Sequence, residues 1–234
     1  GCPNADSRSG QLISAPNLGG GSIPLKKLLK EIFKYPIYIG NDANVAAYGE
    51  KIWGAAKGMR DFIVVTLGTG IGTGIFVNDS ILIGHNALAG EGGHLIIEPN
   101  GRKCSCGGYG HLECYGSVRG IKETVREMTG EDLKFKEIAT RYINNEKVFL
   151  EAFSKTADYL GRGLADLGTL FAPEAIILAG GIATVGENFK SMVENSFKKY
   201  VFPPFIGTTK ILLSEIATEH GAVLGAASQV FFHH

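Results

Sequence analysis

The chain has 234 residues, 44% of them hydrophobic and 20% charged, enough apolar material for a substantial core in one large domain or two small ones. Lys and Arg together number 23, as do Asp and Glu, so no global basic field draws a nucleic-acid backbone and no direct nucleic-acid partner is expected. Four cysteines without a secretory leader do not make an extracellular disulfide framework, and no apolar run is long enough to span a bilayer, so the expectation is a cytoplasmic protein with no membrane partner.

In chain order, residues 24–34 read as an amphipathic helix with Pro24 in its first turn, followed by a strand at 36–40. A small-residue helix, Ala43 to Trp53, opens after Asn41-Asp42. Residues 61–67, 73–77 and 80–83 read as consecutive strands joined by tight turns, an antiparallel meander. Residues 112–128 and 134–144 are predicted helical. The longest helix is placed at 146–171, because Phe149, Phe153, Leu160, Leu164, Leu167 and Phe171 recur at helical spacing, while Lys155, Asp158, Arg162 and Asp166 exclude a membrane span. Pro173 ends it. A buried strand, Ala175 to Leu178, leads into Gly180-Gly181; a helix from Glu187 to Tyr200, a strand from Lys210 to Ser214 and a small-residue helix from Glu219 to Val230 complete the chain. The terminal His233-His234 resemble a purification-tag remnant and carry no functional reading.

The densest chemistry lies between residues 91 and 113, which run Glu91-Gly-Gly-His94, then Cys104-Ser-Cys106-Gly-Gly, then His111-Leu-Glu113. Two thiolates and two imidazoles complete a closed tetrahedral zinc site, so His94, Cys104, Cys106 and His111 are the expected ligands, with Cys114 a competing fourth. A Cys-X-Cys pair alone fits equally a tight turn with two reduced thiols; the two histidines tip the balance to a structural Zn²⁺. Glu91 and Glu113 remain as hydrogen-bond acceptors. His94 has two ring nitrogens, one for metal and one for a ligand hydroxyl.

Three further motifs are set beside it. Residues 65–77 place Gly68, Gly70, Gly72 and Gly74 between β-branched runs. A hairpin eased by glycine explains the pattern, and so does a loop whose amides and Thr69 hydroxyl face a phosphate. Asn41-Asp42 stands between a strand and a helix: an N-cap accounts for one of the two, and a carboxylate at a strand's carboxyl end is well placed to meet a ligand. Gly180-Gly181, after a buried strand, suits chain reversal or close backbone approach to a nucleotide.

The run AGEGGH followed by CSCGGYGHLE resembles the signature of the ROK family of repressors, open reading frames and sugar kinases, in which a His and three Cys hold zinc; here His111 stands where the third Cys falls. The resemblance implies an α/β actin-like (ribonuclease H-like) fold of two lobes and a glucokinase-like transfer of the ATP γ-phosphoryl group to a hexose or N-acetylhexosamine. It implies that Asp42 is the catalytic base, that Asn41, Glu91, His94 and Glu113 hold sugar hydroxyls, and that Gly68, Thr69, Gly70 and Gly72 approach phosphate. Gly180 and Gly181 approach the adenosine, Mg²⁺ accompanies ATP, and the protein is a homodimer.

One departure is large: the family's opening DxGGT hairpin does not occur in this sequence. The expectation is therefore a truncated chain with an incomplete first lobe, residues 1–57 with 219–234, and a second lobe, 58–218, bearing the zinc loop. Two rival readings are a sugar-sensing transcriptional regulator of the same family and a sugar-binding module without catalysis.

Overall fold

The computed structural model describes residues 5–13 and 21–232; residues 1–4 and 14–20 of the opening stretch and the His233-His234 pair lie outside the described residues. A short antiparallel pair, β1 (Ala5–Asp6) and β2 (Gln11–Leu12), precedes helix α1 (Leu25–Ile32). Ala5, Leu12 and Ile39 form a small apolar cluster with Ile23, Leu25, Leu29 and Ile37. No strand is described at the expected 36–40; Ile37 and Ile39 contribute side chains to that cluster instead. A strand is defined by its ladder, and Pro36 brings no N–H to one.

The rest is built on a five-stranded mixed sheet. Helix α2 (Asp42–Trp53) leads to β3 (Phe62–Leu67), β4 (Ile71–Val77) and β5 (Ser80–Ile81), the expected antiparallel meander. Helices α3 (Glu113–Gly116), α4 (Val118–Thr129), α5 (Phe135–Ile143) and α6 (Lys147–Phe171) follow the metal-ligand segment. Then come β6 (Ala175–Ala179), α7 (Glu187–Tyr200), β7 (Lys210–Leu213) and α8 (Thr218–Ser228). The spatial order is β5-β4-β3-β6-β7, with β6 parallel to both β3 and β7.

Both sheet faces are covered, which is why β3 and β6 are nearly continuous apolar runs and not alternating ones. Ile63, Val65, Leu67, Ile176 and Leu178 join one core with residues of α4, α6 and α7, while Phe62, Val64, Phe76 and Ile177 join a second with Ala47 and Tyr48 of α2. Helix α8 packs on α2 where glycines meet: a Cβ on Gly225 would stand 2.5 Å from the Val45 carbonyl oxygen.

The boundaries shift where local hydrogen bonds overrule periodicity. Residues 112–128 are two helices, because the buried Ser117 hydroxyl donates to the Glu113 carbonyl and accepts from the Gly120 N–H at 3.0 Å, capping α4. β4 starts at Ile71, two residues before the expected 73, which leaves only Gly68, Thr69 and Gly70 in the turn and puts Gly72 in the ladder opposite Thr66. Among the described residues, no helix is long and apolar enough to cross a membrane.

A Cβ on Gly74 would lie 2.5 Å from the Ala43 carbonyl oxygen and 2.6 Å from the Ala47 side chain, so β4 touches the backbone of α2. Gly74→Ala is expected to lower the unfolding free energy in urea by about 1–3 kcal/mol through overpacking. An unchanged midpoint would show that the contact relaxes freely.

Candidate active site

The first turn of α2 forms one wall. Asn41 caps the helix, its Oδ1 accepting from the N–H groups of Ala43 at 2.9 Å and Asn44 at 3.2 Å. The cap uses the amide oxygen and turns Asp42 into the first helical position, where its Oδ1 accepts from the Ala43 N–H at 3.0 Å. The carboxylate thus sits beside the exposed amides of the helix start. The N-cap reading is therefore correct for Asn41, and Asp42 is left facing the cleft.

The β3–β4 turn forms the floor. Its three residues are closed by the Gly68 N–H donating to the Gly70 carbonyl at 3.1 Å, and Thr66 Oγ1 accepts from the Gly72 N–H at 3.2 Å. Gly72 is required by packing: a Cβ there would sit 2.8 Å from that of Ala43. A Cβ on Gly70 would sit 2.6 Å from Glu113 Oε2. Two of the four glycines thus bring the hairpin under the acidic groups, as an anion-binding turn or a bare hairpin alike would permit.

The opposite wall is the metal-ligand segment. Gly92–His94 forms a single 3₁₀ turn, tied to β4 by the Gly92 N–H donating to Thr73 Oγ1 at 2.9 Å. Lys103 bridges Tyr109 and Ile96 bridges His111, folding residues 96–111 into a tight loop. Arg102 clamps that loop to the helices, donating to the carbonyls of Cys114 and Gly120, both at 3.0 Å, and to Thr124 Oγ1. The result gathers one ligand atom from each of His94, Cys104, Cys106 and His111 within 4.8 Å of one another. His94 Nδ1 lies 3.3 Å from His111 Nδ1, which in turn lies 3.3 Å from Cys106 Sγ. Two imidazoles and two thiols converging in this way suit a tetrahedral zinc. Cys114 lies outside this group, buried in α3 beside Tyr115.

Glu113 joins the two halves of the cleft. Its Oε1 accepts from Cys104 Sγ at 2.9 Å and from Arg119 at 2.9 Å, while Oε2 points toward Gly70. Desolvation would raise its pKa, but the Cys104 hydrogen bond and the Arg119 charge outweigh it and hold the carboxyl below its ordinary range. Glu91 goes the other way. Burial pushes its pKa up, His94 opposes, and the charges of Asp42 and Glu113 add to the rise. Burial and the Glu113 contact push the Cys104 thiol up to about 12, a barrier that a metal held by the thiolate would offset.

These walls enclose a polar cleft of about 420 Å³ lined by Asn41, Asp42, Thr69, Glu91, His94 and Glu113. Asp42 also lines a smaller cavity of about 190 Å³ that reaches Gly180, and Gly180 opens into a third of about 480 Å³. Gly180 has φ +89°, and a Cβ there would stand 2.9 Å from the Leu67 carbonyl oxygen, so the ends of β3 and β6 pack closely. Gly181 begins the next 3₁₀ turn and lines none of the three cavities. Sequence reasoning missed Arg119, which reaches Glu113 only because the chain breaks at Ser117, and the buried Glu50 of α2.

The mixed sheet with helices on both faces, and a glycine hairpin opening on a polar cleft, belong to an α/β protein of actin-like fold. The ROK family model matches residues 4–231, and the chain belongs to the ROK family. It is 32% identical over 232 residues to a glucokinase of Halalkalibacterium halodurans, covering 93% of this chain and 70% of that protein. It is 31% identical to a xylose repressor of Bacillus spizizenii, covering 99% of this chain and 60% of the repressor. In three dimensions it resembles a Streptomyces griseus ROK glucokinase solved with glucose and AMPPNP, with a TM-score of 0.89 at 28% identity, covering 97% of this chain and 78% of that one.

Proposed function

We propose that these residues form most of an ATP-dependent sugar kinase acting on a hexose or N-acetylhexosamine, glucose first among them. The observation that carries this reading is the single cleft in which Asp42 faces the β3–β4 turn on one side and Glu91, His94 and Glu113 on the other. Asp42 takes the proton of the attacking hydroxyl. Asn41, through its amide group, and the two glutamates with His94 hold the neighbouring hydroxyls. Gly68, Thr69, Gly70 and Gly72 lie toward the transferred phosphate, and Gly180 and Gly181 toward the adenosine. Mg²⁺ would accompany the nucleotide and offset its charge. His94, Cys104, Cys106 and His111 would hold a zinc that fixes the loop without entering the reaction. Positioning and charge stabilisation supply nearly all of the acceleration in phosphoryl transfer, so the cleft needs little beyond a placed base and clamps. The division into a first lobe of 1–57 with 219–234 and a second of 58–218, a homodimeric assembly and a cytoplasmic location belong to the same reading.

A second reading, the sugar-sensing part of a transcriptional regulator, is favoured by the match to a xylose repressor. The two separate on turnover. In the protein with its natural flanking sequence, ADP release coupled to glucose is expected, and Asp42→Asn should lower kcat by about a hundredfold or more while glucose affinity holds. Sugar binding without any ADP release would assign the chain to the regulators. These 234 residues alone, without the DxGGT hairpin, are expected to show little or no turnover.

Metal-free protein titrated with zinc should take up one ion per chain and release protons as the thiols ionise. Cys106→Ala should abolish stoichiometric uptake and Cys114→Ala should leave it. Folded, reduced protein that binds no zinc would refute the site.

Because the pKa of Glu91 is raised, its charge is lost as pH falls through a value above the ordinary carboxylate range. Glucose affinity should therefore drop between pH 7 and pH 5, and removing this acceptor should weaken binding by about 1.5–3 kcal/mol. Glu113, held low, stays ionised over that span. A Glu91→Gln variant should bind more weakly at pH 7 with a flattened pH dependence; an unaltered slope would exclude Glu91 as the titrating acceptor.

A further inference from the structure

Glu50 is a charged side chain in the protein interior, only 2% exposed, with no part in the mechanism above. It lies on α2 two turns beyond Asp42, and both line the small cavity that leads from the cleft to Gly180. One carboxylate oxygen accepts from the Ser214 hydroxyl and the other from the Ala55 N–H at 2.8 Å. Gly54 makes room for this, since a Cβ there would collide with the same carboxylate. Burial raises the Glu50 pKa and its two hydrogen bonds oppose the rise.

Ser214 is the other end of the joint. It stands just past β7, its N–H donates to the Leu178 carbonyl at 2.9 Å, and its Oγ accepts from the Ile216 N–H at 3.1 Å. One carboxylate thus connects the helix that carries Asp42 to the turn between β7 and α8. That turn is the wall facing Gly180: Ser214, Ile216 and Thr218 line both the small cavity and the third, larger one. None of the hexose-facing side chains Glu91, His94 and Glu113 lines either of them.

We propose that Glu50 is a positioning residue which, through Ser214, holds the 214–218 turn in the shape that receives the nucleotide, leaving the hexose clamp untouched. The inference rests on the kinase reading and adds a residue to it. A carboxylate suits the task because it accepts on two sides at once, from a helix-end amide and from the hydroxyl of the turn. Leaving either partner unpaired in the interior is costly.

The test is calorimetry with Mg·ADP and, separately, with glucose, on the protein with its natural flanking sequence. Ser214→Ala leaves one Glu50 oxygen and the Ile216 N–H without partners, and should weaken ADP binding about tenfold with glucose affinity unchanged. Amides of residues 214–221 should also exchange faster with solvent. Glu50→Gln should restore most of the ADP affinity lost in Glu50→Ala. Its carbonyl can keep the Ala55 N–H and its NH₂ can donate to Ser214 Oγ, whose hydroxyl then turns to the Ile216 carbonyl at 3.2 Å. Equal losses for ADP and glucose would reveal a general lesion of the fold and overturn the proposal, as would an unchanged ADP affinity in Ser214→Ala. Wild-type protein that binds glucose but no ADP would instead reject the kinase reading on which the proposal stands.

Discussion

The structure depends on how closely α2 lies on the β3–β4 hairpin. Helix and strand backbones meet across Gly72 and Gly74, and at each of these positions a single added carbon would strike Ala43. Ala43, Ala46 and Ala47 keep the facing side of the helix equally bare. The contact fixes the height of the helix start above the turn, and with it the distance between Asp42 and the amides of Gly68 to Gly70. Gly49 and Gly225 repeat the device on the next face of α2, where α8 approaches. A bulkier seam would keep the fold class and separate the base from the turn.

The metal-ligand loop meets this frame through one carboxylate. Glu113 faces Gly70 with one oxygen and accepts from Cys104 and Arg119 with the other, so the loop, the hairpin and α4 converge on a single side chain. Three carboxylates in one cleft repel one another, and Asp42 and Glu113 both contribute to the raised pKa of Glu91. A structural pocket has no reason to accept that repulsion. The sugar site proposed above would have one, since each sugar hydroxyl needs an acceptor and carboxylates are the strongest available.

Legibility followed the range of the interactions. The strands β3 and β6 and the long α6 were plain in the sequence, because burial on two faces or one helical stripe leaves an unbroken local pattern. The metal-ligand group was legible because its four side chains lie within 18 residues of chain and their chemistry is distinctive. What failed depended on partners. Residues 36–40 carry a strand-like composition but join no ladder among the described residues, and the single helix expected over 112–128 breaks at Ser117, whose hydroxyl satisfies both helix ends. Gly72 reads as a turn residue until register places it opposite Thr66. Arg119 and Glu50 were invisible for the same reason: their meaning lies in Glu113 and Ser214, reached only once the chain has folded.

The cleft is assembled from two parts with separate supports, and this bears on how one fold serves kinases and regulators alike. Glu91 and Glu113, the proposed hydroxyl acceptors, are held by the metal-ligand loop and its Arg102 clamp; Asp42 is held by α2 and the glycine seam. A protein that only senses a sugar needs the first part, and nothing in its binding equilibrium maintains the second. Here the second part is intact down to its least tolerant detail. Gly72 and Gly74 have no role in recognising a hydroxyl, yet they bring Asp42 over a turn whose amides suit an anion. A cap on Asn41 sets the same carboxylate at the positive end of α2. Packing and capping account for each feature locally; the proposed in-line transfer from a phosphate at Gly68 to Gly70 would use both together.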